Sequence, residues 1–288
     1  EGNLLIKTSV GNLVEKQPYA YQLIDGKKVT VACNFVLGNN NTVSFGFPDG
    51  YQHQYALVID PILVGATLSG STVTNYGHCA TYDRLGNIYT GAISFGAGYA
   101  TSSGAFDTGF NGGGTDIAIS KYSPNATARI YGTYIGSSGG DYPHSLIVDY
   151  EDQIHLLGST DGANFPTTAG AFQSTAGGLA DIVVAILSPT GNTLVAATYV
   201  GGNGNDGRNN ATSNYGDSYR GEIMIDQWAN TFIACGSQST NFPVTAGAVQ
   251  STLNPAGGGG GWDNTPQDGV LFKLNADLST LVFSTYLG

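Results

Sequence analysis

Short apolar stretches that end at glycine recur along the chain at a regular spacing. The four copies are LVGATLSG (63–70), RIYGTYIG (129–136), LVAATYVG (194–201) and LVFSTYLG (281–288). Apolar runs of this length, bounded by turn residues, are typical of β-strands, and the abundant glycine supplies the positive-φ conformations of tight turns. The pattern therefore predicts four copies of one strand and few helices.

Two further features recur between these strands. A turn followed by a strand begins at Asp83, Asp149 and Asp226, and another strand begins at Asp116, Asp181 and Asp268. Each repeat thus holds four short strands over more than about 40 residues, as the blades of a β-propeller do. We predict an all-β fold in which residues 62–288 form three tandem four-stranded blades, at about 70–136, 137–201 and 202–288. The segment 63–68 is expected to be a leading strand.

Residues 1–61 also show strand and turn signals, without the repeat. Asp25-Gly26 is a strong hairpin signal, and Asn39-Asn-Asn and Pro48-Asp-Gly mark further turns. We expect a small antiparallel β domain here, the C-terminal part of a β-sandwich-like domain.

The motifs themselves resemble a known family. Asn164-Phe-Pro-Thr-Thr-Ala-Gly-Ala-Phe and Phe283-Ser-Thr-Tyr-Leu-Gly are similar to the bacterial β-propeller repeat called SBBP. The phrases IKTSVG, QPYAYQ and LVIDP resemble the end of an uncharacterised β domain that precedes such repeats in secreted bacterial proteins. A closed propeller needs about 4–8 blades, so we expect the three repeats to belong to a larger or open propeller.

The net charge of the chain limits the classes of partner that it is expected to bind. Ten basic and 21 acidic residues give a formal net charge of −11, which would repel a phosphate backbone, so nucleic-acid binding is not expected. No apolar run approaches the ~20 residues of a transmembrane span. Few lysines and many Asn, Thr and Ser residues indicate a secreted or cell-surface protein.

The cysteines and recurrent aspartates are interpreted as structural. Cys33, Cys79 and Cys235 lack CxxC spacing, so they predict buried free thiols rather than a metal site. The recurrent aspartates are expected to cap turns, or to begin strands beside a hydrogen bond between blades.

Histidines and one insertion are candidate metal ligands. His78 and His144 lie at one register on the expected innermost strands, where they could share a metal, although no third ligand is evident. His53 and His155 are interpreted as isolated surface or strand residues. The stretch that contains Asn205 and Asp206 offers oxygen ligands for calcium, with a flexible polar loop as the alternative.

The third repeat interrupts its register twice, at 202–217 and 255–266. Binding residues concentrate on loops held by a rigid scaffold. Trp262 could stack on a sugar or a partner, or could cover the core of the blade. The candidate binding residues of these two loops are Trp262, Tyr215, Asp206, Asp217 and Asp263.

No nucleophile elbow, zinc-protease helix, P-loop or dinucleotide fingerprint is present in the sequence, so we assign no catalytic residue. The leading hypothesis is a non-enzymatic extracellular repeat module for adhesion, partner binding or structural display, without a cofactor apart from the calcium alternative. A carbohydrate-binding or carbohydrate-active propeller is one rival. A subunit that self-associates into a surface filament or sheath is another.

Overall fold

The computed structural model describes residues 2–8, 11–39, 42–60, 66–209, 218–254 and 266–288. Within these ranges all the secondary-structure elements are β-strands. Three four-stranded antiparallel sheets follow one another along the chain. The predicted all-β fold of tandem blades is therefore confirmed. The chain divides into two compact units, Glu1–Val64 and Gly65–Gly288.

The first unit holds two two-stranded sheets and one three-stranded sheet. Asp25 and Gly26 both have positive φ, 51° and 76°, and they join two paired strands, as the hairpin signal predicts. Cys33 is buried in the short link between two of the strands. The strands are β1 (Leu4–Thr8), β2 (Gly11–Glu15), β3 (Tyr19–Ile24), β4 (Lys27–Val31), β5 (Asn34–Leu37), β6 (Val43–Gly46) and β7 (Leu57–Asp60).

The second unit contains the blades, in each of which four consecutive strands pair in order. Blade 1 consists of β8 (Asn75–Tyr82), β9 (Ile88–Ser94), β10 (Asp116–Tyr122) and β11 (Arg129–Ile135). Blade 2 consists of β12 (Asp141–Val148), β13 (Ile154–Thr160), β14 (Asp181–Leu187) and β15 (Leu194–Val200). Blade 3 consists of β16 (Glu222–Ile225), β17 (Thr231–Ser237), β18 (Asp268–Leu274) and β19 (Leu281–Leu287). The first strands are neighbours in space, since β12 lies against both β8 and β16.

Apolar side chains fill the spaces between blades. One cluster joins blades 1 and 2, with Ile117 and Leu156 as members, and another joins blades 2 and 3, with Val184 and Phe272. Blade 2 is therefore covered on both faces, and its strands β13 and β14 are buried along their whole length. This explains why β14 has an uninterrupted apolar run instead of alternation.

The last strand of each blade contains a Thr-Tyr pair, and the buried tyrosine of that pair has a structural role. The Tyr199 hydroxyl donates to the Gly162 carbonyl at 2.9 Å and accepts from the Phe165 backbone N–H at 2.7 Å. Tyr134 and Tyr286 make the same pair of contacts in blades 1 and 3. The hydroxyl thus ties the long loop between the second and third strands to the last strand.

Two expectations about segment boundaries are wrong. Residues 66–68 of the expected leading strand have no strand structure, and Leu68 is exposed, while 61–65 lie outside the described residues. A last blade strand needs a third strand to pair with, and none of the described strands pairs with 66–70.

The insertion predicted at 202–217 also begins later in the chain than expected. Asn205 and Asp206 form β-bridges with Ala180 and Ser237, so the beginning of the innermost strand of blade 3 is in place. Further along, the Asn209 N–H donates to the Ser218 carbonyl at 2.8 Å. The interruption is therefore confined to the stretch between Asn209 and Ser218, whose residues 210–217 lie outside the described residues.

Candidate functional site

The recurrent turn aspartates cap their turns, which confirms the structural interpretation. Asp83 Oδ1 accepts hydrogen bonds from the backbone N–H groups of Leu85 and Asn87, at 3.0 and 2.9 Å. Asp149 and Asp226 accept from the residues two and four positions later in the same way. Each carboxylate thus closes the turn that leads into the second strand of its blade.

Each capping carboxylate also has a side-chain partner from a neighbouring strand. Asp83 pairs with Lys121 at 3.1 Å, and Asp226 with Lys273 at 3.0 Å. Asp149 accepts instead from His155 Nε2 at 3.1 Å, and His155 is fully buried in β13 rather than on the surface. Burial raises the pKa of each carboxyl, but the hydrogen bonds outweigh it, so all three pKa values are lowered, that of Asp226 to about 2.

The other recurrent aspartates meet in pairs where two blades join. The Asp141 N–H donates to the Thr115 carbonyl at 2.8 Å, and the Asp206 N–H donates to the Ala180 carbonyl at 2.7 Å. These bonds connect the start of one blade to the residue before Asp116 or Asp181 in the preceding blade. The predicted hydrogen bond between blades is therefore confirmed.

The paired carboxyls lie around the glycine that ends each Thr-Tyr strand. A Cβ atom on Gly136 would lie 2.9 Å from Asp116 Cγ and 3.0 Å from Asp141 Oδ2. Burial raises the pKa of Asp116 to about 7 and that of Asp141 to about 6, and the charge of Asp141 adds to the rise at Asp116. Asp116 Oδ1 is buried without a hydrogen-bond partner. The pair therefore takes up a proton near neutral pH.

Asp181 and Asp206 repeat this arrangement at the next junction. Burial raises both pKa values, that of Asp181 to about 6, and Asp181 Oδ1 is again buried without a partner. Asp206 accepts hydrogen bonds from Ser237, Ser239 and the Gly202 N–H. Asp206, one of the five candidate binding residues, thus has its carboxyl fully buried at the junction of two blades. Asn205 hydrogen-bonds Gln238 at 2.9 Å beside it.

His78 and His144 lie on adjacent inner strands, as predicted, each at a bulge in its strand. His144 is buried and bonds Ser159 at 3.0 Å, whereas His78 is exposed. Burial, and then the charge of His78, lowers the pKa of His144 to about 3. In the described part of the chain no three His, Cys, Asp or Glu residues gather closely enough to hold a metal ion. His53 is exposed and lies against Tyr51.

An aromatic and cationic cluster adjoins these histidines. Tyr142 and Tyr219 stack with ring centroids 3.8 Å apart, and the Arg208 guanidinium lies 5.5 Å and 5.7 Å from the two rings. Arg208 also pairs with Asp161. Tyr142 belongs to blade 2, whereas Arg208 and Tyr219 flank the interruption at 210–217. The cluster thus holds both ends of that interruption against the neighbouring blade.

A groove of about 300 Å³ lies between the capped turns of blades 2 and 3. These turns are at the ends of the inner strands opposite to the aromatic and cationic cluster. Exposed Trp228 and Tyr150 line it, together with Glu151, Gln153 and Gln227. Sequence reasoning missed this site. Trp228 stands two residues after the capping Asp226, and that position in an exposed turn was the available signal.

Four of the five predicted binding residues lie outside the described residues: Trp262, Tyr215, Asp217 and Asp263.

All three cysteines are free thiols, with Cys79 in β8 and Cys235 in β17. Burial raises the pKa of Cys79 to about 12, which disfavours a reactive thiolate. No helix among the described residues is both long enough and apolar enough to cross a membrane.

Comparison with known proteins gives two matches along the chain. Residues 1–62 match the model of a domain of unknown function (DUF7948), and residues 130–166 match that of the β-propeller repeat SBBP. No curated protein matches the chain. The second match runs from β11 through the capped turn and β13 into the loop that Tyr199 anchors. The chain therefore carries a β-propeller repeat of the SBBP type at residues 130–166, and its residues 1–62 match DUF7948.

Proposed function

We propose that this protein is a non-enzymatic module of the bacterial cell surface, secreted or displayed there, which binds a surface protein or glycan. The observation that carries the proposal is the groove of about 300 Å³ with exposed Trp228 and Tyr150, between two blades whose apolar side chains pack together. Aromatic residues held at a concave surface are typical of binding sites.

The buried charged groups support binding rather than catalysis. The capping aspartates are ionised and engaged with their turns and with Lys or His partners. The paired aspartates lie inside the junctions between blades, where a substrate would have to separate the blades to reach them. Their perturbed pKa values are explained by the packing of the blades, which is a common structural origin of such shifts.

The composition supports an extracellular setting. The net charge of −11 with 43 glycines and only ten basic residues favours a soluble surface that does not attract nucleic acid. Loops and turns that a rigid all-β scaffold presents can change without loss of the core, which suits adhesion and display.

The proposal is tested by binding of the fluorescently labelled chain to intact bacterial and animal cells. We expect saturable binding that falls at least about tenfold in affinity for the double variant Tyr150→Ala, Trp228→Ala. The matched control is Leu85→Ala, since Leu85 is exposed and stands at the position of Trp228 in blade 1. Binding that is absent, or equally strong in all three proteins, would contradict the proposal.

A further inference from the structure

We infer that the groove between the capped turns of blades 2 and 3 binds an uncharged glycan through a pyranose ring stacked on Trp228. This inference rests on the proposed function and names its ligand class. The residues that contact the ligand are Tyr150, Glu151, Gln153, Gln227 and Trp228, which line the groove.

The two aromatic rings are exposed but stand on fixed backbone. Trp228 and Tyr150 are 69% and 64% exposed, so apolar surface that could be buried remains available to a ligand. The backbone N–H of Trp228 donates to Asp226 Oδ1 at 3.0 Å, and the Tyr150 backbone carbonyl accepts from Arg84 at 2.6 Å. A ligand therefore has little backbone to order in these turns, which reduces the entropic cost of binding.

The polar groups beside the rings suit hydroxyl groups. Gln153 donates to Glu151 Oε2 at 3.0 Å and to Asp149 at 3.3 Å, which places an amide and a carboxylate side by side. Gln227 contributes a second side-chain amide to the lining of the groove. An amide both donates and accepts, and a sugar hydroxyl does the same, so the two match in either orientation.

The charge of the groove favours a neutral ligand. None of the residues that line it is Lys or Arg, and the nearby Lys273 is paired with Asp226 at 3.0 Å. Glu151 contributes a carboxylate, which would repel a sulfated or uronic sugar. The floor is apolar, formed by Ile186, Val195 and Ala276.

The same location between blades 1 and 2 is crossed by a charged side chain. Arg84 occupies the position of Gln227 in blade 1, and it reaches across to the Tyr150 carbonyl and to Asp152 at 3.6 Å. Leu85 stands there in place of Trp228. Only the junction of blades 2 and 3 thus combines an open groove with a tryptophan among the described turns.

The test is calorimetric titration of the intact chain with cellotriose, chitotriose, maltotriose and mannotriose, each up to ~10 mM, and with decaproline as a peptide probe. We expect at least one trisaccharide to bind. Trp228→Ala should weaken that binding at least about tenfold, Trp228→Tyr should restore most of it, and Leu85→Ala should change it less than about twofold. Equal melting temperatures of the four proteins exclude loss of folding.

Three results would overturn the inference. The first is binding to cells without binding to any of the trisaccharides, which leaves the proposed function standing but removes the glycan. The second is trisaccharide binding that Trp228→Ala does not weaken, which moves the site elsewhere. The third is binding of decaproline in place of the trisaccharides. Absence of binding both to cells and to every probe would contradict the proposed function itself.

Discussion

The glycine that ends each Thr-Tyr strand is required by an aspartate in the neighbouring strand. Gly136, Gly201 and Gly288 have no side chain because the carboxyl groups of Asp116, Asp181 and Asp268, respectively, occupy that space. The recurrence of glycine at this point therefore reports a packing contact between two strands rather than a turn. The recurrence was visible in the sequence, whereas its reason needed the positions of the carboxyl groups.

Substitution of that glycine gives a test at the scale of one residue. Gly136→Ala would place a Cβ atom within 3.0 Å of two buried carboxyl groups, so we expect a loss of ~1–3 kcal/mol in the free energy of unfolding. Gly114→Ala is the control, because Gly114 is exposed and has open space where its Cβ would be. Urea unfolding of both variants measures the difference. Equal stability of the two would show that the carboxyl groups move aside easily.

Single residues also show how far the sequence could predict the site. The capping role of Asp83, Asp149 and Asp226 followed from local turn chemistry, which acts over a few residues. The burial of His155 could not be predicted from local turn chemistry. His155 contacts Asp149 in its own blade and Thr231 in the next blade. The groove at Trp228 was missed for the same reason, since it exists only where two blades meet.

The junction between neighbouring blades predicts a pH dependence at the scale of the element. The pKa of Asp116 is about 7 in the folded protein and about 3.9 in an unfolded chain. Burial raises this pKa most, the hydrogen bond from the Asn111 N–H opposes the rise, and the charges of Asp141 and Asp107 add to it. A raised carboxyl pKa stabilises the fold fully below pH ~4, and that contribution is lost as the pH rises through ~7.

Asp116→Asn should remove this loss, because an amide cannot ionise and still accepts the Asn111 hydrogen bond of 2.6 Å. We expect the stability of the variant relative to the native chain to increase by ~1–3 kcal/mol between pH 4 and pH 8. Thermal unfolding across this range is the measurement. Asp277→Asn is the control: hydrogen bonds from Ser279 lower the pKa of Asp277, so its difference from the native chain should stay constant above pH 5. Parallel pH curves for Asp116→Asn and the native chain would contradict the account.

The interruption of the inner strand in blade 3 gives a second test at this scale. Asn209 and Ser218 are already joined by a backbone hydrogen bond of 2.8 Å, so a two-residue Asn-Gly turn in place of 210–217 should connect them. We expect the shortened chain to fold with its melting temperature nearly unchanged. Circular dichroism on heating provides the check. Loss of cell binding in this variant, with binding retained in Trp228→Ala, would favour the loop of Tyr215 and Asp217 as the recognition site.

At the scale of the whole molecule, repetition made the fold predictable. Three copies of one pattern identified the strands and their order, because each blade repeats the same local contacts and the same tyrosine anchor. The limits of the prediction lie where the repeat is broken. Residues 66–70 copy the sequence of a last strand without a described strand to pair with, and the interruption in blade 3 was placed too early because 202–209 has few apolar residues.

The most direct test of the central claim locates the recognition face without any substitution. Hydroxyl-radical footprinting of the intact chain, free and bound to fixed bacterial cells, reports which exposed side chains become covered. We expect oxidation of Trp228 and Tyr150 to fall on binding, while that of Leu85, which is 73% exposed, stays constant. Unchanged oxidation of Trp228, together with protection of Trp262 or Tyr215, would contradict the assignment of the groove as the binding site.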